Sequence, residues 1–300
     1  MESWKNHKAL FAAVATAPLT WLILFFLLPL GIVWLYSFGT NQGLTQIDIS
    51  GTFANYARAL EPLYLGILWK SVLVAGATTI ICLVVGFPVA LAIVFASDKW
   101  KPWLLLGIML PFWTNLLIRT YALMAVLRTE GYANQTIGWL HDKFGGLMTL
   151  GGLPPPGAYE PMHLLYNNFA VIFGLVYVHL PFMVLPLYAA LDKLDKSLIE
   201  ASLDLGAGHL RTLLMIVAPL AAPGIISGII ITFVPALGAY LTPDLLGGPD
   251  SQMIANVIER QFKRANDWPF GAALSFILMY ATFIAIAFQA MKARQAEARQ

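Results

Sequence analysis

Two long stretches without a single charged residue, Ala9–Phe38 and Ser71–Ala96, limit what this chain can fold into. Each exceeds the ~20 apolar residues that cross the hydrocarbon of a bilayer. Hydrocarbon offers a backbone no water to bond with, so runs of this length have to be helical. The rest of the chain follows suit. It is 59% hydrophobic and 11% charged, with a mean hydropathy of +0.72, whereas soluble domains carry about a quarter charged residues. An ordinary globular fold is excluded. The net charge of +2 is scattered along the chain and builds no nucleic-acid surface.

The pattern predicts an all-α integral membrane protein with six spans, at about 12–38, 69–96, 103–127, 169–191, 213–241 and 269–291, forming a single transmembrane domain over 1–300. The first span is about twice the apolar length of a signal peptide and no small-residue cleavage site follows it, so it reads as a retained helix. Connections 97–102 and 192–212 are short to medium and carry Lys99, Lys101, Lys193, Lys196 and Arg211. Connections 39–68, 128–168 and 242–268 are longer and rich in Gly, Pro, Asn and aromatics. Placing both termini in the cytosol puts Lys5, Lys8, Lys99, Lys101, Lys193, Lys196, Arg211, Lys292, Arg294 and Arg299 there, ten of the 18 Lys and Arg. The positive-inside rule favours that orientation, although Arg260, Lys263 and Arg264 then fall outside. The Gly151–Gly157 stretch is turn-rich, and 137–150 reads as a short interfacial helix. Cys82, the lone cysteine, sits in an apolar run and reads as a small buried hydrophobe.

The 192–212 connection is unlike the others. Asp192 and Lys196 stand four apart, a helix-supporting pair, and Glu200, Leu203, Asp204 and Ala207 fall on one face at helical spacing. Gly206 and Gly208 then interrupt the helix, and a second amphipathic stretch starts at His209. The segment reads as a helix-turn-helix on the cytosolic side. Within the spans, Arg119 suits either an interior helix anchor or a side chain reaching for the interface, and His179 reads as a hydrogen-bonded packing residue. Pro219, Pro223 and Pro235 should bend the fifth span, while Gly224, Gly228 and Gly238 let helices approach closely.

Glu200-Ala201-Ser202-Leu203-Asp204-Leu205-Gly206, followed nine residues later by Ile216-Val217-Ala218-Pro219, resembles the Glu-Ala-Ala-x3-Gly-x9-Ile-x-Leu-Pro cytoplasmic loop of bacterial ABC importer permeases, departing from it at Ser202 and Ala218. Pro111–Tyr121, Leu180–Tyr188, Asp244–Gly248 and Asp267–Gly271 are similar to segments of spermidine/putrescine importer permeases, so that the resemblance covers most of 65–290. It implies a type I importer permease fold, located in the bacterial inner membrane, with 192–212 as the loop that couples to an ATPase. Glu200 would face a basic residue of the ATPase, Ala201 and Leu205 would pack into its groove, and Gly206 would permit the tight turn. The implied partners are a second homologous permease, in all a heterodimer, two ATPase subunits that bind the ATP, an extracytoplasmic solute-binding protein and membrane lipid. The fifth span would line the path.

Other functions lack their chemistry. No Gly-x4-Gly-Lys-Ser/Thr or His-Glu-x2-His occurs, and the spans hold no carboxylate pair, so neither an enzyme nor a metal site is expected. All Asp and Glu fall in loops or termini, which leaves an ion-coupled carrier, the alternative reading, without midplane ionisable groups. The resemblance implies a polyamine substrate, with another small organic solute as the alternative within the same class. A polycation crossing spans without carboxylates would rely on aromatic faces and hydroxyls. Trp113, Tyr121 and Tyr240, with Asp244 as the acid nearest the mouth, are the candidates. Trp113 and Tyr240 suit an interfacial aromatic belt equally well.

Overall fold

A computed structural model describes residues 8–43, 46–151 and 157–297, which fold as two compact units. One comprises residues up to Leu65 together with those from Val257 onward, and the other runs from Gly66 to Asn256.

The first unit begins with α1 (Lys8–Leu22), a wide turn at Ile23–Leu27, and α2 (Leu28–Tyr36). The wide turn ends two residues before Pro29, where Leu28 N–H reaches back to the carbonyl of Ile23. A proline there has no N–H for the regular ladder and its ring crowds the carbonyl four residues back, and one widened turn accommodates both. Then come β1 (Thr40–Asn41) and β2 (Ile47–Asp48), a two-residue antiparallel pair that the apolar pattern does not foretell, and α3 (Ala54–Ala59). From the other end of the chain, α15 (Trp268–Glu297) packs on α2 and α3. Arg58 fastens this arrangement, with its guanidinium 2.8 Å from the Asp267 carboxylate and 3.9 Å over the Phe270 ring.

The second unit holds most of α4 (Pro62–Phe95), then α5 (Lys101–Met109) with a tight turn at Leu110–Trp113, α6 (Leu116–Leu127) and α7 (Tyr132–Leu150). It continues through α8 (Asn168–Leu191), α9 (Lys196–Asp204), α10 (His209–Thr212), a wide turn at Leu213–Val217, α11 (Ala218–Leu220) and α12 (Ala222–Leu237). Last are α13 (Leu241–Leu246), a tight turn at Pro249–Ser251, and the first three residues of α14 (Ile254–Lys263), whose remainder belongs to the first unit. Its core joins Cys82, Ala90, Ile93 and Val94 of α4 to Met183, Val184, Leu187 and Leu191 of α8. The glycine spacing of the fifth span is used at two of its three positions. A Cβ on Gly224 would run into Ala190 Cβ, and one on Gly228 would lie 2.7 Å from Met183 Sδ, so α12 presses directly on α8. Gly238 instead ends α12, facing only its own carbonyls.

Among the described residues, three helices are long and apolar enough to cross a membrane, or up to five if each bent pair is one span, where six spans are expected. Val14–Tyr36, Pro62–Phe95 and Asn168–Leu191 are each long and apolar enough to cross a membrane alone. Lys101–Trp113 with Leu116–Leu150 is bent by 94°, and His209–Leu220 with Ala222–Leu237 by 73°. Trp268–Ile284 is a shorter apolar helix. The second span starts earlier than 69, because Pro62 opens the helix and Lys70 is carried within it.

The long connections also hold more helix than their composition suggests. Where 137–150 is expected, α7 starts at Tyr132. Buried Asn134 accepts from Tyr159 Oη at 2.8 Å and from Met162 N–H at 2.9 Å, pinning the helix start to residues 159–162. Of the Gly151–Gly157 turn, residues 152–156 lie outside the described residues.

Candidate functional site: a capped helix-turn-helix and a broken helix

Asp195 starts α9 by accepting from Ser197 N–H at 3.0 Å. That bond, with a further one to the Ser197 side chain, holds the Asp195 carboxyl below its usual range. At the other end, Gly206 takes φ +81°, its N–H donates to Leu203 O at 2.9 Å, and Ala207 N–H donates to Ser202 O at 3.1 Å. This is the paired 5→2 and 6→1 pattern of a Schellman cap, whose left-handed residue is glycine by preference. Gly208 then opens α10. The expected helix-turn-helix is present, and its turn is set by Gly206.

Glu200 and Ala201 are exposed on α9, and Leu205, the residue that caps its C-terminal end, is 89% exposed. A leucine left so bare beside an exposed acid makes an apolar contact point on a short, stiff element. Ser202, the departure from the second Ala of the family pattern, turns inward, and its hydroxyl meets that of Thr212 at 2.9 Å, both buried. It clamps α9 to α10. Only the amphipathic placement of two hydroxyl residues ten apart hints at this in the sequence.

Two sequence expectations for this segment are corrected. Asp192 does not pair with Lys196, because α8 stops at Leu191 and α9 starts at Lys196, so no helix joins them. Asp192 instead receives Lys101 Nζ at 3.2 Å, which also lies 3.3 Å from Asp98, and these two carboxylates raise the Lys101 pKa. Lys196 Nζ lies 5.9 Å from the Phe95 ring centroid. Ala207 cannot share the face of Glu200, Leu203 and Asp204, because the helix has already ended.

The break between α5 and α6 explains Arg119. Thr114 is extended, with its hydroxyl on Pro111 O at 2.7 Å, and Asn115 caps α6 by accepting from Leu117 N–H at 2.8 Å. Such side chains offer the backbone an alternative to the helical ladder. Arg119, 7% exposed, donates through Nη2 to Thr114 O at 2.8 Å and Phe112 O at 3.2 Å, and through Nε to Thr114 Oγ1 at 3.3 Å. It anchors the bend from inside. His179 is a packing residue as expected, its Nδ1–H donating to Leu175 O at 2.8 Å.

The path candidates are spread over the same unit. Trp113 is exposed on the last turn before the break, and Tyr121 is exposed on α6. Tyr240 stands at the start of α13 and Asp244 in its first turn. Because α13 packs against α6 and α8, the elements bearing Tyr121, Tyr240 and Asp244 are neighbours, while Trp113 lies across the 94° bend. Buried Asn256 fixes the Tyr240 end, donating to Tyr240 O at 2.8 Å and accepting from Met253 N–H at 3.1 Å. Nearby, Ser71 Oγ accepts from Ile254 N–H at 2.7 Å.

A family model described as binding-protein-dependent transport system inner membrane component matches residues 77–297. The chain is 40% identical over 274 residues to the spermidine/putrescine transport system permease protein PotB of Salmonella typhimurium (strain SL1344), covering 91% of this chain and 90% of that one. It is 42% identical over 258 residues to PotB of Escherichia coli (strain K12), covering 86% and 88%. In structure it is similar to a bacterial ABC transporter involved in the import of the acidic polysaccharide alginate, with TM-score 0.70 and 15% identity over 98% of this chain and 99% of that one. The MetNI methionine ABC transporter in inward-facing form matches at TM-score 0.53 and 16% identity over 79% and 98%. At such identities the structural likeness speaks for the fold alone, a helical type I importer permease.

Proposed function

We propose, for a chain that belongs to the family of binding-protein-dependent transport system inner membrane components, that its cargo is a polyamine such as putrescine or spermidine. The chain is the multi-pass inner-membrane permease subunit of an ATP-binding cassette importer and is not an enzyme. The observation that carries the substrate reading is the 40–42% identity to PotB proteins across most of both chains.

In this reading, 192–212 is the loop pushed by a separate ATPase. Glu200 faces a basic residue of the ATPase, Ala201 and Leu205 enter its groove, and Gly206 holds the turn. Support comes from the bare Leu205 side chain and from the stiffness that the Schellman cap and the Ser202–Thr212 bond confer. A second permease, similar but not identical, completes the path. Two ATPase subunits lie on the cytosolic side, with both termini, and a solute-binding protein lies outside. All six apolar units cross the membrane as one permease domain. ATP-driven closure of the ATPases shifts the population toward the outward-open state. Trp113, Tyr121 and Tyr240 offer cation–π contacts of about 0.5–2 kcal/mol each, enough to ease a polyamine through without trapping it, and Asp244 draws it to the mouth.

Two measurements test this. In the purified complex, a binding protein loaded with putrescine or spermidine should stimulate ATP hydrolysis. Stimulation by a sugar- or anion-loaded protein instead would overturn the substrate. A single cysteine at Lys196 should be labelled only from the cytosol and one at Asp250 only from outside, and labelling Lys196 from outside in intact cells would overturn the coupling role.

A further inference from the structure

Three helices of the second unit meet along one seam. Val74, Thr78, Cys82 and Gly86 recur every four residues on α4, as Gly224, Gly228, Thr232 and Ala236 do on α12, and all are buried. Both rows lie against α8. Val74 packs with Val171 and Leu175, Cys82 Sγ lies 3.7 Å from Val176 O, and a Cβ on Gly86 would lie 3.2 Å from Met183 Cγ. Met183 is also the side chain that Gly228 of α12 approaches. Thr78 thus stands between two residues that touch α8, and Thr232 stands one turn beyond Gly228.

Both threonines are 0% exposed, and neither Oγ1 has a hydrogen-bond partner in the chain. Other buried polar groups nearby are provided for: Thr79 donates to Ala75 O at 2.7 Å and His179 to Leu175 O at 2.8 Å. A helical threonine has the carbonyl four residues back within reach. Thr79 uses it, and Thr78 and Thr232 do not. A buried hydroxyl left unpaired costs its full desolvation, whereas an apolar group of the same shape in its place is neutral or stabilising. Each row therefore carries one side chain that weakens its contact with α8, beside glycines that let the helices come closest. Groups that break the rules of a packed interior belong to function, and packed helices change state by sliding along such contacts. We propose that this seam parts in the ATP-driven cycle, exposing Thr78 and Thr232 to water, and that their unpaired hydroxyls keep the closed seam weak enough to part. The inference rests on the importer reading and is independent of the cargo.

The complex, with the subunits that co-purify with it, is held nucleotide-free or trapped with ATP and vanadate, so that no cargo is needed. Cys82, the lone cysteine of the chain and 0% exposed, reports on the seam without any substitution. A small water-soluble methanethiosulfonate should modify it about tenfold faster in the trapped complex, read by mass spectrometry of its peptide. Ala170→Cys, in a chain with Cys82→Ala, lies where α8 packs with Leu127 and Leu246 instead and should react equally in both states. Thr78→Val and Thr232→Val should each raise the melting temperature of the complex by about 1–3 °C. Each should also slow Cys82 modification in the trapped complex about fivefold, by favouring the closed seam. A lower melting temperature in either variant would overturn the proposal, because the hydroxyls would then be bonded in the resting protein. So would modification of Cys82 at one rate in both states, or an acceleration at Ala170→Cys as large as at Cys82, the mark of general loosening.

Discussion

Gly206 offers the sharpest test of the coupling element, because its environment isolates one physical cause. An added Cβ would meet nothing within 4 Å, so a side chain there costs nothing in packing. What it costs comes from φ +81° alone, about 1–2 kcal/mol for an L-residue forced into the left-handed region. That is a factor of about 5–30 in the equilibrium between the capped and uncapped turn. Once uncapped, α9 loses the bonds from Gly206 and Ala207 to Leu203 and Ser202, and with them its angle to α10. Gly206→Ala and Gly206→Leu should therefore lower polyamine uptake and binding-protein-stimulated ATP hydrolysis by about that factor, at unchanged membrane level and basal hydrolysis. Gly206→Asn should fall between, since Asn visits this region at lower cost. Two residues on, Gly208 has φ −70° and opens α10, so Gly208→Ser should behave normally. Full stimulation in Gly206→Ala would refute the argument, as would equal defects in Gly206→Ala, Gly206→Asn and Gly208→Ser.

Glu200→Ala should abolish uptake while leaving the chain in the membrane, because truncating one member of an interfacial charge pair costs about 2–5 kcal/mol; normal uptake would reduce the loop to a connector. Ser202→Ala should destabilise the detergent-solubilised chain by about 1–3 kcal/mol by leaving the buried Thr212 hydroxyl unpaired, and Ser202→Ala with Thr212→Val should recover most of that in a thermal-melt series. Arg119→Met should cost about 1.5–3 kcal/mol for each charge-assisted bond lost at the bend, and Arg119→Lys should restore little because an ammonium lacks the guanidinium fork, again read by thermal melts. Asp195 should contribute a pH term. Its folded pKa lies below the ordinary 3.8, so the unfolded chain binds the proton more readily in that window. Its contribution is then present above pH 3.8 and lost as pH falls through the folded value, and Asp195→Asn should flatten that part of a melting-temperature profile.

The charge-free runs Ala9–Phe38 and Ser71–Ala96 are legible because length without charge is a strong signal in a chain that has to enter lipid, and Val14–Tyr36 and Pro62–Phe95 are helices there. The helix-turn-helix is legible for a different reason: Gly206 serves a backbone angle of φ +81° that glycine adopts without a Cβ penalty. What the pattern could not show was continuity. Pro111-Phe112-Trp113-Thr114-Asn115 reads as apolar span, yet Thr114 and Asn115 bond their own backbone and break it. The Asp192–Lys196 pair looked right at spacing four, but spacing has meaning only within one helix, and the chain turns between them. The distant pairings, Lys101 with Asp192 and Arg58 with Asp267, depend on tertiary placement that no local window contains.

Several polar side chains of this apolar chain stand where its helices stop, and they replace the ladder that ends there. A break at membrane depth frees carbonyls and amides that lipid cannot satisfy, so each break needs side chains in place of the ladder. Arg119, Thr114 and Asn115 do this between α5 and α6, and in the connections Asn256 and Ser71 serve the start of α14 and Asn134 the start of α7 in the same way. The bend at Ala221 is met differently. Pro223 has no N–H to offer, and Ala221 N–H still reaches Val217 O at 2.9 Å, so the helix there turns by 73° with little backbone left unbonded. This joint lies between α10, to which α9 is clamped, and α12, which presses on α8 through Gly224 and Gly228.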